Sequence, residues 1–295
     1  MSFKKNLLAL CLTGLFLIPA LQPSYAQTAE VSTSGTAAIE FVSNPGPFLD
    51  GKIGTVPYDR WSEEHLTYLT NMSCNCKVKK YIYNNSVADC LAMIKSGRAD
   101  FLLTTDVTAA YMAQRNHDLK AVVDPGPLGV VMILRSSDAA LKDSFDTAIK
   151  KLKENGKLGE LENKWIKDLP VGKEPSMNKI EKVSGAETVY VGVSGDMPPL
   201  DYVAADGKPA GFNIALLTEI SKLIGKNIEI ISLDSQARFT ALDAKKVDVF
   251  FWVVIPYDKV VQDKLKDDPS EQAFFKKYSY TEPHCVVKTG FVFKK

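Results

Sequence analysis

Val189-Tyr190-Val191-Gly192-Val193-Ser194-Gly195-Asp196-Met197-Pro198-Pro199-Leu200-Asp201-Tyr202 is followed shortly by Asp206-Gly207-Lys208-Pro209-Ala210-Gly211-Phe212-Asn213-Ile214. The β-branched run at 189–193 predicts a strand, 195–199 a loop, and Asp206-Gly207 a hairpin-type turn. Residues 212–223 then carry apolar side chains at helical spacing. A strand is predicted at 228–233, a short helix at 239–244, a strongly apolar strand at 247–255 and a last strand at 291–293.

Towards the N-terminus the same alternation recurs. Strands are predicted at 52–56, 78–83, 101–104 and 129–134. Helices are predicted at 62–71, 87–96 (stopped by Gly97), 107–114, 141–154 and, after Gly156, 158–165. Such alternation predicts an α/β fold with a mainly parallel sheet and helices on its faces. Between the two runs, 167–187 is polar and contains Pro170, Gly172, Pro175 and Gly185, the composition of a surface linker. A short echo links the runs. Ala92-Met93-Ile94-Lys95-Ser96-Gly97-Arg98-Ala99-Asp100 precedes one buried strand and Ala241-Leu242-Asp243-Ala244-Lys245-Lys246-Val247-Asp248 another. Two lobes of similar architecture are therefore expected.

Composition narrows the function classes. The chain has 295 residues, with 36 Lys plus Arg against 35 Asp plus Glu. That balance gives no electrostatic case for nucleic acid or for an anionic membrane surface. Lys4 and Lys5, an apolar stretch at 7–19 and the small residues Ser24 and Ala26 before Gln27 predict a cleavable signal peptide over 1–26. The apolar stretch is short for a membrane anchor. Residues 27–47 read as a flexible lead-in. Apart from Cys11, the cysteines are Cys74, Cys76, Cys90 and Cys285. In an exported chain they suggest disulfides or buried thiols, with Cys76–Cys90 the preferred pair. Cys74-x-Cys76 lacks the usual C-x₂-C zinc spacing, and the histidines are only His65, His117 and His284. No metal and no cofactor is implied.

The stretch 189–214 resembles the mature N-terminus of the periplasmic solute-binding proteins of ABC importers, of the amino-acid type (family 3-like). Ala241 to Asp248 fits that family's next turn, and Tyr280-Thr281-Glu282-Pro283-His284 looks like its crossing into the second lobe. The first half of the chain resembles the remainder: Gly51-Lys52-Ile53-Gly54 the opening of lobe two, 94–100 its "lxxGrvDa" turn, 129–135 the return crossover and 141–165 the closing helices. The resemblance implies a two-lobed periplasmic-binding-protein-like fold, circularly permuted, with a ligand cleft between the lobes. Lobe two would be 48–126, with the return crossover and closing helices of lobe one at 127–165. A linker at 166–187, the opening part of lobe one at 188–284 and a crossover strand at 285–295 would follow. Termini that lie close together on a surface permit such a rearrangement.

The same resemblance supplies the candidate ligand-binding residues. Ser194, Asp196 and Met197 occupy the loop after the first strand of lobe one. Asp196 is either an acceptor for an ammonium group or a solvated turn residue. Tyr58, Asp59 and Arg60 stand where the family has its anion-binding turn, before a helix N-terminus. Arg60 would add a bidentate contact to a carboxylate or simply lie on the surface. Thr105 and Asp106 follow the buried strand of lobe two, where the family places an ammonium-binding Asp. Trp252, in Phe251-Trp252-Val253-Val254-Ile255-Pro256, replaces small hydroxyl residues and either stacks on a ligand or fills the core. Val260 stands near the family's carboxylate-clamping Arg, so an ordinary α-amino acid loses a strong contact here.

An enzyme is not expected, because the chain has no G-x-S-x-G, H-E-x-x-H or P-loop motif. His284 and Cys285 are neighbours, and neighbours in a strand point to opposite faces. The expected function is that of a periplasmic, monomeric solute-binding protein delivering a small polar or amino-acid-like solute to an ABC importer permease by hinge closure. The alternative is a binding fold with an eroded site that acts through a protein partner.

Overall fold

The structure, a computed structural model, describes residues 39–57, 62–172, 174–257, 259, 263 and 271–295. The predicted signal peptide and most of the lead-in lie outside these. The strands in the first part of the chain are β1 (Ile39–Phe41), β2 (Ile53–Pro57), β3 (Lys80–Asn84), β4 (Phe101–Thr105) and β5 (Leu119–Arg135). After them come β6 (Thr188–Val193), β7 (Asp196–Met197), β8 (Asp201–Val203), β9 (Pro209–Ala210), β10 (Asn227–Ser232), β11 (Val249–Pro256), β12 (Tyr278–Tyr280) and β13 (Cys285–Lys294). The α-helices are α1 (Gly46–Leu49), α2 (Glu63–Ser73), α3 (Val87–Lys95), α4 (Asp106–Arg115), α5 (Ala139–Glu154), α6 (Lys157–Glu162), α7 (Phe212–Ile224), α8 (Arg238–Asp243) and α9 (Gln272–Lys277).

The expected alternation holds, and most predicted elements fall within a residue or two of the observed ones. The largest differences lie in the two long strands. The strand expected at 129–134 is the second half of β5, and the one expected at 291–293 is the end of β13. They run antiparallel, from Cys285 opposite Val130 to Lys294 opposite Leu119. The resulting sheet is therefore mixed rather than mainly parallel, in the order β10-β6-β11-β5-β13-β4-β2-β3. Part of the supposed lead-in is ordered, since β1 pairs parallel with β5. The helix expected at 158–165 is α6 followed by a π-helical turn over Asn163–Lys167 that buries Trp165.

Alternation along the strands sorts the core into layers. On one face, Leu102, Ala121, Met132, Val191, Val249 and Val292 share a single cluster with α3, α4, α5 and α7. This cluster is continuous through both halves of the sheet. On the other face the core divides. Phe101, Val122, Phe291 and Phe293 pack with Leu49 and Leu66 in one half. Val131, Ile133 and Phe250 pack with Ala241 and Leu242 in the other. The two halves thus have separate outer cores and a shared inner one.

β5 and β13 carry the chain from half to half. Along β5 both ends are buried, while Asp124 to Leu128 at the waist are half-buried or exposed. The waist contains Pro125 and Pro127, which have no N–H to give to a ladder. Opposite it, the β13 register shifts between Lys288 and Thr289. A β-bulge of this kind bends a strand and interrupts its pairing.

Among the described cysteines, Cys76, Cys90 and Cys285 are unbridged thiols, which overturns the Cys76–Cys90 pairing. The reason is the sheet itself. Cys90 points from α3 into the shared core, whereas Cys74 and Cys76 pack in the outer core on the opposite face.

Gly290, just past the bulge, lies against the start of α4. A Cβ there would meet the Thr105 carbonyl oxygen at 2.7 Å and Ala109 Cβ at 2.8 Å. Gly290→Ala is expected to destabilise the protein by about 1–3 kcal/mol, the usual cost of overpacking. Chemical unfolding of the variant beside the parent measures it, and equal stability would refute this close approach.

Candidate functional site

Where the two halves meet on the shared-core side, the loop after β6 faces the start of α3. The loop is organised by Asp201, whose side chain is fully buried. Its carboxylate accepts from Ser194 Oγ at 2.9 Å, from the Gly195 backbone N–H at 2.8 Å and from Asn213 Nδ2 at 2.8 Å. Gly195 has φ +71°, a left-handed conformation that glycine adopts without strain. The turn it allows brings its N–H onto Asp201. β7, β8 and β9 form a small antiparallel sheet, and the hairpin expected at Asp206-Gly207 joins β8 to β9.

The organised loop presents Asp196 to the other half of the molecule. Its Oδ2 accepts a short hydrogen bond from the backbone N–H of Val87, the first residue of α3. The first turn of a helix has N–H groups without intrahelical acceptors and attracts negative charge. Ser86, the N-cap, takes the Asp89 N–H at 3.0 Å, and Asp196 takes that of Val87. A second contact crosses nearby, where Ser235 N–H donates to the Asn85 carbonyl at 3.3 Å.

Burial sets the electrostatics. It raises the carboxyl pKa of both Asp196 and Asp201, opposed by the N–H and hydroxyl donors each accepts from. Arg238, at the start of α8, is 3% exposed and lends both carboxylates a partly compensating positive charge. Among the described residues, two carboxylates against one guanidinium leave the seam electronegative. Asn213 Oδ1 and Tyr202 Oη are buried without a hydrogen-bond partner among the described residues.

The other candidates are distributed as follows. Ser194 is engaged with Asp201. Met197 is 1% exposed and belongs to the shared core, so it offers no open surface in this conformation. Thr105 is the N-cap of α4 and accepts from the Thr108 N–H at 3.3 Å. Asp106 is turned to the waist, where its Oδ1 accepts from the Lys288 N–H at 2.8 Å and so holds β13 opposite the bulge at Pro125 and Gly126 of β5. Burial raises its pKa, opposed by that bond. Tyr58, Asp59, Arg60 and Val260 lie outside the described residues. Trp252 stands in β11 where the register against β5 shifts, between Phe251 and Val253, and its side chain is not among those described.

Sequence reasoning missed Asp201, Asn213 and Arg238. The first two lie within the quoted stretch, but only the fold shows that they meet. No group of three or more His, Cys, Asp or Glu that could hold a metal occurs among the described residues. His284 is fully buried between the rings of Phe212 and Phe251, and burial pushes its pKa down to about 3. Burial pushes the Cys285 thiol up. A neutral imidazole and an un-ionised thiol make a poor catalytic pair.

Comparison with known proteins agrees with the motifs of the second part of the chain. Residues 189–255 match the family of bacterial extracellular solute-binding proteins, family 3. Over 86 residues the chain is 33% identical to the arginine-binding extracellular protein ArtP of Bacillus subtilis, covering 28% of this chain and 33% of that protein. Over 107 residues it is 25% identical to the L-cystine-binding protein TcyJ of Escherichia coli, covering 36% and 35%. The chain thus spans about a third of the length of the curated relatives it matches. Among solved structures, it is similar to the ligand-binding component of an ABC-type import system from Staphylococcus aureus, with a TM-score of 0.40 at 12% identity, covering 87% of this chain and 66% of that one. It is also similar to the GluR0 ligand-binding core in complex with L-glutamate, with a TM-score of 0.38 at 12% identity, covering 89% and 86%.

The Asp196 bond yields a prediction. Asp196→Asn keeps an oxygen acceptor and should keep the Val87 amide protected from hydrogen exchange. Asp196→Ala should lower that protection by about 1.5 kcal/mol or more, the range for a hydrogen bond to a charged group. A carboxyl whose folded pKa is raised gives stability below its unfolded pKa, about 3.9, that is lost as pH rises through the folded value. Unfolding curves across that window should show a shallower fall for Asp196→Asn. A slope equal to the parent's would exclude Asp196 as its source.

Proposed function

We propose that this protein is an extracytoplasmic solute-binding protein that takes an amino-acid-like solute between its two halves and hands it to an ABC importer. The observation that carries the proposal is the seam. The loop of 194–201 lies within the stretch that matches the family, and its Asp196 reaches across to the helix start of the other half. A polar seam held by few bonds, beside two crossing strands with an interrupted ladder, has the construction of a hinged binding cleft. Relatives named for arginine and cystine binding support an amino-acid class of solute. The electronegative seam favours a solute with an ammonium or guanidinium group.

In this reading Ser194, Asp196 and Arg238 face the solute from one half, with Asp201 and Asn213 fixing the loop. Tyr58, Asp59, Arg60, Thr105 and Asp106 are the contribution of the other half, and Trp252 lies near the hinge. Met197 lines the site only if the seam opens. The halves are read as a circular permutation of the family's order, because the motifs of the family's opening stand in the second part of this chain. Residues 1–26 are read as a signal peptide. No helix among the described residues is long and apolar enough to cross a membrane.

The test is thermal unfolding of the chain from residue 27 onward against arginine, cystine, other amino acids, small peptides and carboxylates. A saturable rise in Tm is expected for a cationic amino acid, about 2.7 kcal/mol of stabilisation at a hundredfold excess over Kd. The internal bond of Asp196 favours a second reading, in which the cleft is closed on itself and the protein acts through a protein partner. Absence of a shift with every compound would replace the first reading by the second.

A further inference from the structure

His284 takes no part in the seam, yet its surroundings are unusual for a polar side chain. It stands just before β13 and is fully buried. Its ring stacks on Phe212 of α7, with centroids 6.3 Å apart and planes 19° off parallel, and meets Phe251 of β11 edge to face at 5.3 Å. Neither Nδ1 nor Nε2 has a hydrogen-bond partner among the described residues. A neutral imidazole carries one donor and one acceptor, so both are left unsatisfied. The backbone holds the ring there. His284 N–H donates to the Val130 carbonyl at 3.0 Å, and Thr281 exchanges two hydrogen bonds with Met132.

Charging the ring makes its position worse. An imidazolium has two N–H donors, and among the described residues it finds an acceptor for neither. It also lacks a counter-charge. From α5 comes Lys153, whose Nζ donates to the Pro283 carbonyl at 2.6 Å and whose charge opposes another on the ring. β11 and residues 128–134 of β5 contain no charged side chain. On α7, Glu219 and Lys222 pair with each other at 2.9 Å. Cys285, the neighbour on β13, keeps its thiol un-ionised. Burial first and Lys153 second thus hold the imidazole pKa down at about 3, whereas an unfolded histidine charges near pH 6.5.

What the ring supports is the loop of the seam. Phe212 and Asn213 open α7. Phe212 N–H donates to the Pro199 carbonyl at 3.0 Å, Asn213 N–H to the Leu200 carbonyl at 2.8 Å, and Asn213 Nδ2 to Asp201 at 2.8 Å. The residue stacked on His284 is therefore bonded to the loop that presents Asp196 to α3. We infer that His284 is an acid-sensitive support of that loop: protonation drives the imidazole out from between Phe212 and Phe251, the first turn of α7 shifts, and Asp196 lets go of Val87. Given the reading of 194–201 as the binding loop, on which this regulation rests, the site holds its solute near neutral pH and releases it in acid.

Chemical unfolding and hydrogen exchange between pH 7 and pH 5 test it, on the parent and on His284→Leu and His284→Gln, which cannot be charged. A histidine whose folded pKa lies below its unfolded one gives stability above pH 6.5 that is lost as pH falls towards the folded value. Over this interval the parent's folding equilibrium constant should fall about twentyfold relative to either variant, the effect of one proton taken up on unfolding. The raised carboxyls of Asp196 and Asp201 act in the opposite direction in all three chains alike, so the difference between chains is the measure. Exchange of the Val87 amide, corrected for its intrinsic pH dependence, should accelerate in the parent and several-fold less in the variants. Equal pH dependence of parent and variants in either measurement overturns the proposal. Should neither variant fold, ring NMR of the native parent decides: an imidazole still neutral at pH 5 upholds it, and one that titrates near pH 6.5 overturns it. At pH 7 His284 is neutral, so a solute that fails to bind there counts against the seam reading alone, and coincident pH curves count against the support alone.

Discussion

The antiparallel ladder between β5 and β13 is the constraint on which the rest of the molecule depends. These strands alone among the described elements pair in both halves of the sheet. Their outer ends are anchored among strands with private outer cores, and their buried faces join in one inner core. At the waist the ladder is weakest. Pro125 and Pro127 withhold donors, Pro125 and Gly126 drop out of the register with β13, and the N–H of Lys288 is taken by the Asp106 carboxylate. A chain that is continuous at both ends and interrupted in the middle bends in the middle.

What closes the molecule across that bend is polar. Asp196 meets the α3 N-terminus from a loop that Asp201 holds rigid through three donors. Burying two carboxylates is costly, and the raised pKa of each is the sign of that cost. A structure maximising stability alone would place apolar groups there. Retaining a charged, partly balanced seam is what a site for a polar cation requires. The Asp196 carboxylate would be released from Val87 as a solute takes its place, so closure and binding draw on the same acceptor.

Much of the fold was legible because its signals are local. The 87–95 helix begins at a Ser cap and ends before Gly97, and β6 and α7 carry clean strand and helix periods. The first half of β5 was not legible, since Asp124-Pro125-Gly126-Pro127 reads as a turn and becomes a strand only through its partners on both sides. β1 was hidden for the same reason, its three residues having no signal beyond their pairing. At the site, the stretch 194–201 was found by its resemblance, and Asp196 was singled out for its charge. Its partner was not foreseeable, because Val87 contributes a backbone N–H and lies 109 residues away in sequence. Asp106 was read as a ligand contact from its place after β4, whereas here its carboxylate is committed to the waist.

The central claim is that two halves joined by β5 and β13 move about the waist and close through Asp196. Small-angle X-ray scattering of the parent, Asp196→Asn and Asp196→Ala, each with and without a bound amino acid, tests it most directly. The account predicts a compact particle for the parent and the Asn variant, with and without the amino acid, and an expanded one for the Ala variant. Superimposable scattering from all of these would contradict it.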